Sequence, residues 1–150
     1  MNTKILAIGA LCSIAVGFFG CSEKNDGKTE PSFAAPSYSE CMKRLDNCRK
    51  GSPFAVGFVK TIVERRKSKS ISNADTVPDN VANILLDVGA LTQPMDASMI
   101  DKIKKHPRSS PYARDLASAV VNHVLGREQR VAPVTKDILD VVDDCKIFKR

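Results

Sequence analysis

The chain has 150 residues, with 23 Lys and Arg against 17 Asp and Glu, and a formal net charge of +6. This length allows one domain with a linker. Aromatic residues make up only 5% and Trp is absent, so Val, Ile, Leu and Ala must fill the core. The positive charge is spread along the chain. It therefore indicates an acidic protein partner or an anionic lipid surface, and it argues against nucleic-acid binding.

The first 20 residues have the pattern of a cleavable export signal. Residues 1–4 end in Lys4, and residues 5–19 carry no charge and stop at Gly20-Cys21. A transmembrane helix needs about 20 apolar residues, so this run is short for one. A basic start, a short apolar run and a small residue are typical of a signal peptide. We therefore expect residues 1–20 to be a signal peptide.

The residues Phe18-Phe19-Gly20-Cys21 resemble the lipobox of bacterial lipoproteins, although Phe18 stands where that family usually has Leu. The resemblance implies cleavage before Cys21 and lipidation of its sulfur with palmitate-like acyl chains, which together make a durable membrane anchor. By resemblance to enterobacterial sorting, Ser22 points to the outer membrane, facing the periplasm. The alternative is an ordinary signal peptide with an incidental cysteine.

Residues 21–36 are polar, with Gly and Pro and no periodicity, and they are expected to form a flexible tether from the lipidated cysteine. A flexible segment of this length spans roughly 20 Å.

Residues 37–150 are expected to form an all-α domain, a compact bundle of five or six short helices. Apolar residues recur at helical spacing and are framed by capping signals. Residues 55–63 contain enough β-branched residues for a strand, but Pro53 and the i, i+4 pattern favour a helix. The first helix is expected over residues 38–50, a polar loop over 67–78 and another helix over 81–91. The expected N-caps are Ser37 (with Glu40), Ser52, Asp96, Ser110 and Thr135, and the expected stops are Gly51, His106-Pro107 and Gly126.

Lipidation of Cys21 leaves three cysteines, which would usually pair in an oxidising compartment. Within an intact helix, Cys41 and Cys48 would lie about 10.5 Å apart along the axis, too far to bridge. One disulfide is therefore expected between Cys145 and either Cys48 or, alternatively, Cys41. If the first helix unwinds, a local bridge between Cys41 and Cys48 becomes possible.

Catalytic and cofactor motifs are not evident in the sequence, which predicts a protein that is not an enzyme and has no cofactor, no metal and no small-molecule substrate. His106 is interpreted as a turn residue and His123 as a half-buried helical residue. The pair Asp143-Asp144 is interpreted as solvated helix surface. The basic runs 65–69 and 102–108 are interpreted as solvated helix ends, or as docking sites for an acidic partner or lipid headgroups.

Part of the domain resembles the small, helical, disulfide-bonded periplasmic immunity proteins that neutralise type VI secretion peptidoglycan amidases. The resemblance implies a partner-binding fold whose partner is a toxic cell-wall hydrolase. Ala55 and Thr76 stand where that family has two further cysteines. The matching features are Cys48, Gly57-Phe58, Val77-Pro78, His106-Pro107, an Ala/Leu-rich stretch at 112–125, and Cys145.

Three functions follow from these observations. The chain could be an immunity lipoprotein, a pilotin-like accessory lipoprotein that grips a partner helix in a secretion or pilus system, or a minor structural lipoprotein of the envelope. The sequence does not indicate which residues contact the partner.

Overall fold

The computed structural model describes residues 35–71, 73 and 76–149. Helices are the only regular secondary structure among these residues. This confirms the expected all-α bundle. Over the same residues, every helix is too short or too polar to cross a membrane. The six helices are α1 Tyr38–Asp46, α2 Pro53–Ser68, α3 Val77–Asp87, α4 Ser98–Lys104, α5 Pro111–Val124 and α6 Pro133–Asp144.

Three serine caps start helices where the sequence predicts them. Ser37 and Glu40 form a complete capping box at the start of α1. The hydroxyl of Ser52 accepts from the backbone N–H three residues on at 3.2 Å, and that of Ser110 does the same at 3.1 Å. Each satisfies a backbone donor that would otherwise have no partner in the first helical turn.

Two predicted boundaries are wrong by about one turn. The first helix ends at Asp46 and does not reach residue 50, because Asn47 leaves the helical conformation and its amide caps the carbonyl of Lys43 at 2.8 Å. Cys48 therefore lies outside the helix. The third helix begins at Val77 and not at 81, because the Thr76 side chain provides an N-cap inside the expected loop.

Two predicted caps lie at different positions. Ala97, and not Asp96, is the N-cap of α4, although an Asp96 carboxylate oxygen accepts from the Ser98 N–H at 2.7 Å. Thr135 lies inside α6 and is buried, because the fixed φ of Pro133 starts this helix two residues earlier.

Helix α2 is the centre of the bundle and packs against α1, α3 and α6, while α5 packs against α3, α4 and α6. Arg65 near the end of α2 pairs with Asp79 in the first turn of α3, and this ion pair links the two helices at their connection. The core is aliphatic, as the composition predicts. Its largest fully buried side chains are Phe58, Leu45, Ile62, Ile84, Leu85, Leu91, Ile103, Ile138 and Ile147.

Two glycines make turns that other residues would strain. Gly51 has φ +84°, and the side chain of Val141 occupies the space that a β-carbon would need. Gly126 has φ +74° and ends α5, as predicted. Both positions lie in the left-handed region that favours glycine.

The C-terminal segment 145–149 is fastened to the bundle by arginines. The guanidinium of Arg66 donates to the carbonyl of Ile147 at 2.8 Å and to that of Pro36 at 3.2 Å. Arg44 donates to the carbonyls of Cys145 and Lys146, both at 3.4 Å. Both ends of the domain therefore meet at the end of α2.

Candidate functional site

Cys21, the residue predicted to carry lipid, lies outside the described residues, as do residues 1–20 and most of the tether. The cleavage and lipidation at this position stay predictions.

The three remaining cysteines lie near one another. All three are free thiols in the structure, so the one expected disulfide is not formed. The sulfurs of Cys48 and Cys145 and a carboxylate oxygen of Asp144 all lie within 4.8 Å of one another. The Cys41 sulfur instead contacts the Arg66 guanidinium at 3.0 Å. Cys48 is therefore better placed than Cys41 to pair with Cys145, and the pairing itself stays a prediction.

Burial raises the pKa of the Cys145 thiol to about 12, and the hydrogen bond that this thiol makes to Cys48 is the next largest cause. The nearby charges of Cys48, Asp144 and Cys41 act in the same direction. Cys145 is fully buried while Cys48 is half-buried, so an oxidant would reach Cys48 first.

The same three groups are the atoms that could hold a soft metal ion, since thiolates and a carboxylate suit zinc. The ammonium group of Lys50 lies 3.5 Å from the other carboxylate oxygen of Asp144 and competes for it. The expectation that no metal is bound stays a prediction.

His106 lies in a cluster that the sequence analysis missed. Its Nε2 lies 2.8 Å from a carboxylate oxygen of Asp87, and its Nδ1 lies 3.3 Å from the hydroxyl of Ser109. A serine, an imidazole and a carboxylate in this order are also found in nucleophilic hydrolases. Here the Ser109 hydroxyl donates to the His106 carbonyl at 3.1 Å, and Arg114 donates to the carbonyl of Ser109. These bonds fasten the turn between α4 and α5 to the end of α3.

No sequence signal could have identified this cluster, because 19 residues separate Asp87 from His106 and only the packing of α3 brings them together. His123 has a similar relationship with Asp143, whose carboxylate oxygen lies 2.9 Å from its Nε2. Asp143 and Asp144 are both exposed, as predicted for helix surface, and Asp143 in addition contacts His123. His123 is half-buried, as predicted.

The basic run 65–69 does not form a fully solvated helix end. Arg65 is 8% exposed, and its guanidinium binds Asp79 at 2.9 Å and the carbonyl of Ser70 at 3.1 Å. Its Nε has no hydrogen-bond partner among the described residues. In the run 102–108, the charged residues are exposed while Ile103 is buried.

Two open grooves lie on either side of the segment 126–132, which connects α5 to α6. One groove is about 860 Å³ and lies between this segment and α6, with Leu139 and Val131 as apolar lining. The other is about 550 Å³ and lies between the segment and α5, with Leu116 and Tyr112 as apolar lining. We call this pair the segment grooves.

Basic side chains outnumber acidic ones around the segment grooves. Arg130 lines both, and neither it nor Arg127 makes an ion pair within the described part of the chain. Tyr112 is 51% exposed on the rim. The remaining basic lining residues are Lys104, Arg114 and Lys136, and the acidic ones are Asp115, Glu128 and Asp140.

The segment between the grooves is held in place by hydrogen bonds to carbonyls of α5. The side-chain amide of Gln129 donates to the carbonyl of Ala119 at 2.7 Å, and the N–H of Arg127 donates to the carbonyl of Asn122 at 2.9 Å. The grooves are therefore preformed. Nothing in the sequence indicates the grooves, because residues 126–132 carry no motif and their position depends on the packing of α5 and α6.

The comparisons with known proteins give no relative. No family model, no curated protein and no solved structure matches this chain.

Proposed function

We propose that this chain is a bacterial lipoprotein, cleaved before Cys21, anchored in the cell envelope by lipid on that residue, and acting by binding a protein partner in the periplasm. The signal-like residues 1–20, the polar residues 21–36 and the compact helical domain support this proposal. The domain acts by binding and not by catalysis. The hydrogen bonds that join His106 and Ser109 to nearby backbone support a structural role for that cluster.

Within this class we propose immunity as the function: the domain binds a toxic cell-wall hydrolase and blocks its active-site cleft. The observation that carries the proposal is the pair of segment grooves, where apolar lining residues lie together with Arg127 and Arg130, two exposed arginines that make no ion pair among the described residues. A surface of this kind suits a partner that presents acidic and apolar groups together.

Two residues are the best candidates for the centre of this interface. Tyr112 offers a large, half-exposed aromatic ring, and Arg130 lies between the two grooves. Tyrosine and arginine are enriched among the residues that contribute most to protein interfaces. Because Gln129 fixes the segment in advance, little ordering of the loop would oppose binding.

The direct test is photo-crosslinking in the producing cells. A photoreactive phenylalanine analogue at Tyr112 should capture the partner, and the same analogue at Phe54 is the matched control. Phe54 is 53% exposed and lies outside the segment grooves. Capture of a cell-wall hydrolase from Tyr112 alone supports immunity. Capture of a secretion or pilus component would support the pilotin-like alternative and contradict immunity.

A genetic test uses charge reversal. Deleting the gene should sensitise cells to a cell-wall hydrolase delivered by neighbouring bacteria, and Arg130→Glu should fail to restore protection. Arg49→Glu reverses another exposed arginine, outside the grooves, and should protect fully. Normal resistance of the deletion strain to every hydrolase delivered by its neighbours would reject the immunity proposal.

A further inference from the structure

A second basic surface lies where the chain enters the domain. It is formed by residues 36–38, 66–69 and 145–149, and we call it the entry face. Arg66 joins its parts, because its guanidinium bonds to the carbonyls of Pro36 and Ile147 and lies 6.0 Å from the ring centroid of Phe148. The start of the domain, the end of α2 and the C-terminal segment are therefore one continuous surface.

Four lysines point outward from the entry face. The ammonium group of Lys67 lies 4.2 Å from the ring centroid of Tyr38, and Lys69 caps α2 in a left-handed conformation. Lys146 and Lys149 flank the buried residues of the C-terminal segment. All four are exposed, and none makes an ion pair within the described residues. By contrast, Lys50, Lys60 and Lys136 each pair with an aspartate.

Most carboxylates near the entry face already have a hydrogen-bond or ion-pair partner. Glu40 is bound to Ser37 in the capping box and lies 3.8 Å from the guanidinium of Arg44. Asp144 pairs with Lys50. Glu64 is the other exposed acid in the last turns of α2. The entry face consequently carries a net positive charge.

We propose that the entry face docks on the anionic lipid headgroups of the membrane in which the chain is anchored. The inference rests on the proposed lipidation of Cys21. The tether expected from that cysteine would span roughly 20 Å, and it joins the domain at Pro36, whose carbonyl accepts from Arg66 of the entry face. Clustered lysines attract anionic headgroups. Each contact is weak, but the tether makes docking intramolecular and keeps the local headgroup concentration high.

Docking would hold the domain in one orientation on the membrane. A single anchor alone would let the domain rotate freely about its tether. The docked domain would instead keep the opposite end of α2, which carries Phe54, away from the lipid. Phe54 lies 13 residues before Lys67, a distance of about 20 Å along the helix.

Energy transfer from a single tryptophan can measure this orientation, because the natural chain has no Trp. The lipidated protein is extracted from the envelope and reconstituted into vesicles of phosphatidylcholine, with or without phosphatidylglycerol, containing a dansyl-labelled headgroup. One variant carries Ser39→Trp, at an exposed position beside Tyr38. The other carries Phe54→Trp, which lies about 20 Å along α2 from Lys67 and should transfer less energy than Ser39→Trp on anionic vesicles.

Two controls test the role of charge. Raising the salt from about 0.01 M to about 1 M shortens the Debye length from about 30 Å to about 3 Å and should equalise the two probes. Reversing Lys67, Lys146 and Lys149 to Glu should do the same at low salt. The matched control reverses Lys102, Lys104 and Lys105, three exposed lysines of α4 and its C-cap, and should leave the difference intact.

The outcomes separate this inference from the proposed function. If the protein stays on the vesicles but both probes transfer equally at low salt, docking is overturned and the lipid anchor stands. Ser39→Trp could transfer more energy than Phe54→Trp by the same margin on neutral and on anionic vesicles. That result would overturn the recognition of anionic headgroups. A protein that associates with no vesicle would overturn both the anchor and the docking.

Discussion

The entry face and the segment grooves are both rich in basic residues, but they use arginine in opposite ways. Next to the entry face, Arg65 is buried against Asp79, and within the entry face Arg66 bonds to two backbone carbonyls and a cysteine sulfur. In the grooves, Arg127 and Arg130 are exposed and make no ion pair among the described residues. The first group holds the fold together, and the second is available to a partner.

The two groups of arginines differ because only the first lies beside backbone carbonyls that lack hydrogen-bond donors of their own. Helix α2 ends beside two irregular segments, 35–37 and 145–149, whose carbonyls need donors that no helix supplies. A guanidinium offers five donors and can serve several of them at once. The segment 126–132 satisfies its backbone through Gln129 and the end of α5. Its arginines are therefore not needed for the fold.

The largest expected effect concerns the predicted disulfide, which would fasten the entry face covalently. Oxidation that joins Cys48 to Cys145 closes a loop of about 100 residues and should stabilise the fold by about 4–5 kcal/mol in the chain-entropy model. Urea unfolding with and without reductant measures this difference. Cys48→Ser should abolish it and Cys41→Ser should retain it. A disulfide-linked peptide containing Cys41 and Cys145 would contradict this pairing.

The next effect concerns Arg65. Replacing it with Ala removes the bonds to Asp79 and Ser70 and leaves a carboxylate without its partner. Breaking a buried ion pair costs about 3–5 kcal/mol, and because the Asp79 side chain is 32% exposed we expect a loss near the lower end, about 3 kcal/mol. Chemical unfolding at neutral pH measures it. A loss below about 0.5 kcal/mol, as is usual for surface residues, would show that Arg65 contributes no more to stability than an exposed arginine.

Two helix caps give a smaller and matched comparison. Ser110→Ala, next to the grooves, removes only an N-cap and should cost about 1 kcal/mol. Ser52→Ala should cost about 2 kcal/mol, because the Ser52 hydroxyl also donates to Asp137 of α6 at 2.6 Å and a hydrogen bond to a charged group contributes more. Thermal unfolding of both variants compares them. Equal losses would show that the bond to Asp137 contributes nothing.

The smallest effect on stability is expected for Arg130. Arg130→Ala should change the free energy of unfolding by no more than about 0.5 kcal/mol, while it weakens partner binding. Arg66→Ala is the contrasting variant and should destabilise the fold by about 2 kcal/mol through lost charged hydrogen bonds. Urea unfolding of the two variants side by side measures the difference. If Arg130→Ala unfolded as easily as Arg66→Ala, the segment would depend on it structurally.

The sequence predicts most of the helical architecture because helix signals are local. Ser37 with Glu40, Ser52 with Pro53, and Ser110 with Pro111 each place a cap and a helix start correctly. The two wrong helix boundaries arise where a capping residue lies about one turn away from the predicted boundary. Asn47 ends α1 early, and no sequence signal marks it. Thr76 starts α3 early, and its Pro78 and Asp79 are a helix-start signal inside the segment expected to be a loop.

The binding and thiol sites depend on contacts between residues far apart in the chain. The sequence leaves both Cys41 and Cys48 as partners for Cys145, since spacing alone excludes only a bridge within an intact helix. The packing of α1 against α2 turns Cys41 towards Arg66, and the early end of α1 places Cys48 beside Cys145. The cluster of His106 with Asp87 also depends on packing.

The sequence by itself determined that the domain is helical, where three of its helices begin, and that its core is aliphatic. Each of these follows from side-chain period and capping, which act within a few residues. Only the tertiary structure decided which arginines are structural and which are exposed, because that depends on the irregular backbone packed beside each one. Arginine therefore has two roles: Arg66 fastens the chain at the entry face, and Arg130 lines the open grooves beside residues 126–132.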